Sequence, residues 1–389
     1  MRKINAVYRI TTPLFLGGAD IERTAELKPT SLKGVLRFWF RAVNYGKHKN
    51  YREVKKAEDK IFGNTNAQSN VFFKIETQEL KIVTQANSTD KFRKLFKGGT
   101  AYLGYGLDDR KGGEVRYRPY IRPDQAFQLK LLLKPRMRDK IINDDLIMPI
   151  KALGLFGGLG SRSRRGFGSL TLDSIVAEGE NIWSPPKSKE DLIKTYQAFY
   201  SSLKLGNDEP EYTAFSKNSR TIVLKEYNSF SAALKEVGGK MMAFRRDCKK
   251  DAKLVSDFLK SGQADSHPER VAFGLPHNYF FAGMGERGEA TIDPIVISSL
   301  TGDRNKTRRA SPLFIKIVLL KGPKGTTYIP VITLFPSKFL PPNSQILMAQ
   351  SEGRKFEKEL KPNVSYKIVN EFMDQCKKEL DGAEVRFND

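Results

Sequence analysis

Polar and apolar residues alternate over residues 4–10, INAVYRI, the period of a strand with one buried face. A loop carrying Pro and a Gly pair follows, TTPLFLGGAD (11–20). The period then changes. Residues 29–46, PTSLKGVLRFWFRAVNYG, read as a helix with Leu32, Val35, Leu36, Trp39, Phe40 and Val43 on its core side. Pro29 precedes this helix, Thr30 or Ser31 can cap it and Gly46 can end it. Strand-like stretches lie at 70–85 and 126–135, with a Gly- and Arg-rich, turn-prone stretch (98–123) between them. Residues 143–157, NDDLIMPIKALGLFG, suit a second helix with acids at its start, and SLTLDSIVAE (169–178) is a strand. In order this is β-α-β-β-α-β, the ferredoxin-like or RRM-like unit.

A polar, Pro-containing break, WSPPKSKED (183–191), marks a linker start. Beyond it RTIVLKEY (220–227) is a strand, and 229–262 is largely helical with Gly238 and Gly239 as a break. A hairpin is expected from 311–322 and 326–336 around PKG, and 351–380 is mostly helical. The expected fold class is therefore α+β, two tandem ferredoxin-like (RRM-like, βαββαβ) domains with insertions. The first spans 1–182 with the Gly-rich loop 157–168, and the second spans 183–389 with helical insertions.

Charge changes the picture from fold to partner. The 389 residues carry 67 Lys+Arg against 44 Asp+Glu, a net of +23. Such a field selects a polyanion: nucleic acid first, an acidic membrane surface second, an acidic protein third. Residues 1–178 hold 34 basic and 18 acidic residues, so the first half carries most of the excess. The two cysteines, Cys248 and Cys376, lie in no CxxC or Cys/His cluster, which argues against structural zinc or a disulfide scaffold. No signal peptide opens the chain and no apolar run approaches eighteen residues, so a cytoplasmic protein without a membrane span is expected.

Two features carry candidate chemistry. On the 29–46 helix, Lys33, Arg37 and Arg41 form an i, i+4, i+8 stripe with no acid between Ser31 and Arg52. The stripe reads either as a phosphate-backbone ladder or as an ordinary solvated basic edge. The second feature is GGLGSRSRRGFG (157–168), five glycines and three arginines inside an acid-free run from Leu146 to Leu172. It lacks the Lys-Ser/Thr of a P-loop, and a strand rather than a helix follows it, which also fails the dinucleotide fingerprint. RGFG matches only the first half of RNP1, because Ser169 stands where an aromatic should stack a base. What remains is bare backbone at Gly158, Gly160, Gly166 and Gly168 that can approach sugar–phosphate, with Arg162, Arg164 and Arg165 as forked donors. A mobile surface loop is the alternative.

Basic–aromatic mixtures at 93–106, 116–123 and 304–314 suit single-stranded nucleic acid, although buried aromatics explain them equally well. Catalysis has thin support. His48, His267 and His277 lie in no ligand motif, and acids such as Asp20 and Asp293 are scattered. A metal-independent nuclease with His48 or His277 as acid/base is the enzymatic alternative. A pure assembly module is the third reading.

TPLFLGGAD (12–20), SLKGVLRFWFRA (31–42), GGLGSRSRRGFGSL (157–170) and RRASPLFIKI (308–317) together resemble the RAMP superfamily of CRISPR-associated proteins, in particular the family of subunit one of the type III-B Cmr effector complex. The resemblance implies two ferredoxin-like domains and a non-catalytic RNA-binding subunit of an RNA-guided complex that targets RNA. Its partners would be the 3′ part of the CRISPR guide RNA, single-stranded target RNA and other RAMP subunits of the Cmr complex. It implies no cofactor, metal or catalytic residue here. By motif position, Lys33, Arg37, Arg41, Arg162, Arg164 and Arg165 become the RNA contacts, while the helical angle of Trp39 makes it core first.

Overall fold

The computed structural model describes residues 2–48, 50–84, 95–111, 114–135, 145–206, 208–297, 303–323, 325–351 and 356–387, with side chains at 109–116 and 285–287 left out. The first half opens with β1 (Arg2–Ile10), α1 (Pro29–Asn44), α2 (Tyr51–Phe62), β2 (Val71–Glu76) and the short β3 (Ile82–Val83). It continues with α3 (Gly99–Leu103), the ribbon β4 (Asp108–Lys111) and β5 (Glu114–Tyr117), then β6 (Tyr120–Ile121), β7 (Ala126–Leu133), α4 (Met148–Phe156), β8 (Leu170–Ala177) and β9 (Glu180–Trp183).

The alternation that predicts β1 is realised: Ile4, Ala6, Tyr8 and Ile10 are all buried. Tyr8 pairs with Phe127 across the β1/β7 ladder, and their rings stack at 5.6 Å. β1 is central in an antiparallel sheet of order β2-β7-β1-β8-β9. The four strands joined through α1 and α4 therefore lie in the spatial order second, third, first, fourth.

The second half contains α5 (Lys189–Ser201), β10 (Arg220–Val223), α6 (Phe230–Arg246), α7 (Lys249–Ser261), β11 (His277–Phe280), β12 (Glu289–Ile297) and β13 (Arg304–Lys306). After these come β14 (Leu313–Gly322), β15 (Gly325–Leu334), β16 (Gln345–Gln350), β17 (Glu357–Leu360), α8 (Lys367–Glu379) and β18 (Ala383–Arg386). The expected hairpin is β14/β15, paired from Leu313↔Leu334 to Gly322↔Gly325. Its sheet runs β14-β15-β10-β18, again second, third, first, fourth. The segments inserted before β14 and after β15 pair with each other in a third sheet, β11-β12-β16-β17, with β13 added to β12. Val255, Phe258 and Leu259 of α7 pack in the core of that insertion.

Several expectations need correction. Residues 351–380 are not mostly helical: β17 occupies 357–360 and the helix begins at Lys367. The helical stretch 229–262 breaks at Asp247–Cys248, while Gly238 and Gly239 lie inside an unbroken α6. α1 starts on Pro29 with no side-chain cap from Thr30 or Ser31, since Pro at the first position needs no partner for an N–H it lacks. The break at 183–191 runs into α5, whose cap is Ser188 and whose Leu192, Tyr196, Phe199 and Tyr200 are buried. The residues 143–144 of the second expected helix lie outside the described residues, and α4 proper begins at Met148.

The hydrophobic core does not stop between the halves. Phe156 of α4 packs its ring 5.0 Å from Tyr196 and Phe215, and Phe215 lies 4.9 Å from Phe335. β14, the outer strand of its sheet, is closed by the first half. Ile315 N donates to the Arg164 carbonyl (2.9 Å), Ile317 N to Ser169 Oγ (3.1 Å) and Leu319 N to Thr171 Oγ1 (3.0 Å). An edge strand whose N–H groups are answered in this way is no longer a template for another chain.

Candidate nucleic-acid interface

α1 carries its basic stripe as the sequence predicts, but the stripe faces α2. Arg37 Nε and Arg41 Nη1 (2.8 Å) both donate to Glu58 Oε1, and Arg37 Nη2 reaches Asp59 Oδ1 at 3.4 Å. Arg37 Nη1 adds a bond to the Gly63 carbonyl at 3.2 Å. Glu58 is fully buried. A buried carboxylate must be neutralised, and two guanidinium groups do so. The ladder reading of Arg37 and Arg41 is therefore corrected: acids absent from their own segment arrive from α2. Lys33 has no acid within ion-pair distance among the described residues. Its ammonium lies 5.7 Å from the centre of the Phe73 ring, and burial, then Arg37, lowers its pKa.

The glycine-rich loop is not a free surface loop. Leu159 N bonds the Gly168 carbonyl (2.9 Å), Ser161 N the Phe15 carbonyl (2.8 Å) and Gly168 N the Pro13 carbonyl (2.9 Å). Thr12 Oγ1 donates to the Gly166 carbonyl at 2.7 Å. Gly158, Gly166 and Gly168 are buried. Gly160 has φ +78°, and a Cβ there would fall 2.3 Å from the Phe15 carbonyl oxygen. At Gly168, φ +59°, it would fall 2.0 Å from the Leu159 carbonyl. A Cβ would also strike the Gly168 carbonyl from Gly158 (2.6 Å) and Leu234 Cδ2 from Gly166 (2.6 Å). The sequence argument that these glycines admit an RNA backbone is thus corrected. What they admit is the protein's own backbone. Phe167 between them is fully buried, stacked on Phe96 at 5.5 Å.

The three arginines of the loop separate. Arg164 is built into the seam between the halves. Its guanidinium lies 4.6 Å from the Phe314 ring and 5.4 Å from Phe38, and Nη1 donates to the Ser311 carbonyl at 2.7 Å. Burial, then Arg309, pushes its pKa down to about 10. Its placement as an RNA contact is corrected accordingly: the group is used as a cationic wedge between aromatic faces. The four conspicuous sequence stretches meet here, with Pro13 and Phe15 under the loop, Phe38 and Trp39 beside it, and Ser311 and Phe314 across it. Trp39 is core, packed on Phe156 (6.1 Å), Phe314 (5.9 Å) and Phe335 (6.0 Å).

Arg162 and Arg165 have no side-chain hydrogen bond or ion pair among the described residues. A short turn, Arg165 N to the Arg162 carbonyl (2.8 Å), holds them together, with Arg162 at φ +61°. Burial lowers the pKa of Arg162, and Arg308 and Arg118 lower it further. Arg165 falls to about 10 through burial, then Arg162 and Arg245. Arg118, from the turn before β6, and Arg308, before β14, are exposed and likewise have no ion pair among the described residues. Arg245 comes from the end of α6. It lies 5.6 Å from the Phe273 ring and 5.9 Å from Tyr102, and its Nη2 donates to His277 Nε2 at 3.0 Å. Five guanidinium groups from four segments thus converge, with no carboxylate paired to them among the described residues. Like charges so gathered raise the energy of the free protein and lower it when an anion arrives.

His277 borders this cluster. Burial first, then Arg245, Arg270 and Arg165, holds its pKa well below the usual imidazole range. His48 lies after α1, where burial lowers its pKa, and His267 Nδ1 is 3.1 Å from the Pro268 carbonyl oxygen. Among the described residues no group of three or more His, Cys, Asp or Glu is placed to hold a metal, and no helix is long and apolar enough to cross a membrane.

Sequence reasoning did not assign Arg118, Arg245 or Arg308 to the site. Arg118 and Arg308 lie in basic–aromatic stretches that stood out in the sequence. Arg245 had no signal there, because it reaches the site only through the packing of α6 on α3. That packing is close: a Cβ on Gly238 would fall 2.1 Å from the Gly99 carbonyl oxygen.

The family model of the RAMP superfamily matches residues 7–171. The CRISPR system Cmr subunit Cmr1-2 of Pyrococcus furiosus is 33% identical over 176 residues, 42% of this chain and 91% of that protein. Subunit Cmr1-1 of the same organism is 26% identical over 323 residues, 81% of this chain and 82% of that one. In fold, the chain is similar to the crystal structure of apo Cmr1 from Pyrococcus furiosus, with TM-score 0.59 and 19% identity over 99% of this chain and 98% of that one. It is similar also to a chain of type III-B Cmr-beta bound to cognate target RNA, seen by cryo-electron microscopy, with TM-score 0.50 and 14% identity over 96% and 99%. By its sequence relatives, the chain belongs to the RAMP superfamily of CRISPR-associated proteins, in the family of the Cmr subunit Cmr1.

Proposed function

We propose that this protein is an RNA-binding subunit of a type III-B CRISPR Cmr complex, and that it holds single-stranded RNA, guide or target, by its phosphates. The observation that carries the reading is the convergence of Arg118, Arg162, Arg165, Arg245 and Arg308 without a carboxylate partner among the described residues. Forked guanidinium donors suit phosphate oxygens, and a net charge of +23 draws a polyanion from a distance. The RNA-bound Cmr-beta assembly agrees with the choice of partner. Other RAMP subunits of that complex are the protein partners in this reading.

Both halves are read as ferredoxin-like units, divided at 182/183, because each repeats the βαββαβ order and the second-third-first-fourth sheet. The chain is read as non-catalytic. His277 is bonded to Arg245 and ringed by cations, which disfavour the imidazolium that an acid step requires. The test is direct. Purified protein is titrated with labelled single-stranded RNA at two salt concentrations, as wild type and as Arg162→Ala/Arg165→Ala. The double variant binds at least tenfold more weakly, and neither protein cleaves the strand in EDTA. Unchanged affinity removes the cluster from the site, and cleavage abolished by His277→Ala establishes the nuclease alternative instead.

A further inference from the structure

The arginine cluster accounts for phosphates and leaves the bases unaddressed. Beside it stands Tyr105, a residue 74% exposed. Tyr105 follows α3, and the next residue, Gly106, has φ +83°. A Cβ on Gly106 would lie 3.0 Å from Arg162 Nη2, so the guanidinium rests on the backbone next to the tyrosine.

Other aromatics of the region are occupied. The Tyr102 ring is covered by the Arg245 guanidinium, and Phe96 and Phe167 stack on each other. Among the other exposed aromatics, the Tyr51 ring packs on Tyr212 at 5.5 Å, and Lys134 lies 6.0 Å from the Phe72 ring centre. Phe280 lies on β11 three residues from His277, so it points to the opposite face of that strand. Tyr105 thus combines an open ring with unpaired cations alongside.

An apolar ring left in water gains by being covered, and a flat one is best covered by another flat ring. We propose that Tyr105 is a stacking platform for one unpaired nucleobase of a single-stranded RNA whose adjacent phosphates lie on Arg162 and Arg165. The proposal rests on the RNA-binding reading and adds a base subsite to it. It also assigns the strand type: a base in a duplex is already stacked and cannot lie on Tyr105 without being pulled out.

The experiment uses full-length protein and three probes: a labelled single-stranded RNA, the same strand with abasic positions throughout, and an RNA duplex. Proteins are wild type, Tyr105→Ala, Tyr105→Phe and Arg162→Ala/Arg165→Ala, each checked by its unfolding midpoint. Tyr105→Ala weakens binding of the single strand about tenfold with the salt slope unchanged, and Tyr105→Phe stays within twofold of wild type. On the abasic strand and the duplex, Tyr105→Ala equals wild type. Equal affinity of Tyr105→Ala and wild type for the single strand overturns the proposal, as does an equal loss on the abasic strand. If the double arginine variant binds all three probes like wild type, the RNA-binding reading itself fails. If that variant is weakened and Tyr105→Ala is not, only the stacking subsite fails.

Discussion

Lys316 Nζ lies 2.7 Å from the carbonyl oxygen of Gly157 and also donates to that of Leu170. One buried amine on β14 thereby clamps both feet of the glycine-rich loop, the residue that opens it and the strand that follows. No acid accompanies it among the described residues, and burial holds its pKa well below the usual lysine range. Replacing Lys316 with Met keeps the length and removes both bonds. Two interior carbonyls then lose a donor, which costs about 1–3 kcal/mol even though the burial of an amine is relieved. Urea unfolding of Lys316→Met shows this loss, with RNA affinity falling as the loop loosens. A variant as stable as wild type sinks the clamp.

The α1 stripe gives a contrasting prediction. Arg37 and Arg41 neutralise Glu58, so their removal acts on stability. Arg37→Ala leaves Glu58 with Arg41 alone and destabilises by about 1–3 kcal/mol, because a buried carboxylate loses half its neutralisation. RNA affinity, measured where the variant is fully folded, stays within twofold. A tenfold loss of affinity with unchanged stability restores the ladder.

Within the loop, adjacent arginines answer to different measurements. Arg162→Ala/Arg165→Ala removes two charges from the phosphate site and lowers the slope of log K against log salt by about 1.4, at about 0.7 per phosphate for single strands. Arg164→Ala instead unstacks Phe38 and Phe314 and orphans the Ser311 carbonyl, at about 1–3 kcal/mol of stability. If Arg164→Ala changes the salt slope and leaves the unfolding midpoint alone, the division between them is wrong.

How far the sequence reaches follows from which partner each residue needs. β1 and β7 are legible because alternation is a local property of a strand, and β8 and the β14/β15 hairpin because short apolar runs bounded by turn residues are local too. The inserted sheet is not, because β12 and β16 pair across the whole β14/β15 hairpin that separates them in the chain. The basic character of the loop is legible, and its role is not. Arg162, Arg164 and Arg165 look alike in a string, but Phe38, Phe314 and Ser311, from distant segments, select Arg164 for the seam. The partner of Arg37 and Arg41 is hidden for the same reason: Glu58 lies on the next helix, beyond the acid-free window. In the string the glycines read as room for a ligand, whereas the Phe15 and Leu159 carbonyls fill the space beside Gly160 and Gly168.

Gly238 and Gly239 are neighbours on α6 with opposite expected effects. A Cβ on Gly239 meets nothing within 4 Å, whereas on Gly238 it falls 2.1 Å from the Gly99 carbonyl oxygen. Gly239→Ala stabilises by about 1 kcal/mol through helix propensity alone. Gly238→Ala gains the same propensity and loses more, because α3 must back away and the oxygen cannot yield without it. Thermal unfolding of the two variants separates them, and α3 moving off α6 also lowers RNA affinity by displacing Tyr102 and Tyr105. Equal midpoints for the two variants would contradict the close helix crossing.

Glu384 supplies the pH dependence. Its burial alone would raise its pKa, but hydrogen bonds from Arg220, Lys377 and Arg386 outweigh that and hold the carboxyl at about 2. Arg220 Nε donates to Oε1 at 2.6 Å and Lys377 Nζ to Oε2 at 2.8 Å, tying β10 and α8 to β18. A carboxyl depressed in the folded state binds its proton less readily than in the unfolded chain, where its pKa is about 4.3. The stability it contributes is complete above that value and drains away as pH falls towards 2. A shift of this size corresponds to about 2–3 kcal/mol. Denaturant midpoints measured from pH 6 to pH 2.5 therefore decline in wild type, and Glu384→Gln, less stable at neutral pH, declines less steeply by that amount. Parallel curves for the two proteins would show that Glu384 carries none of the acid sensitivity.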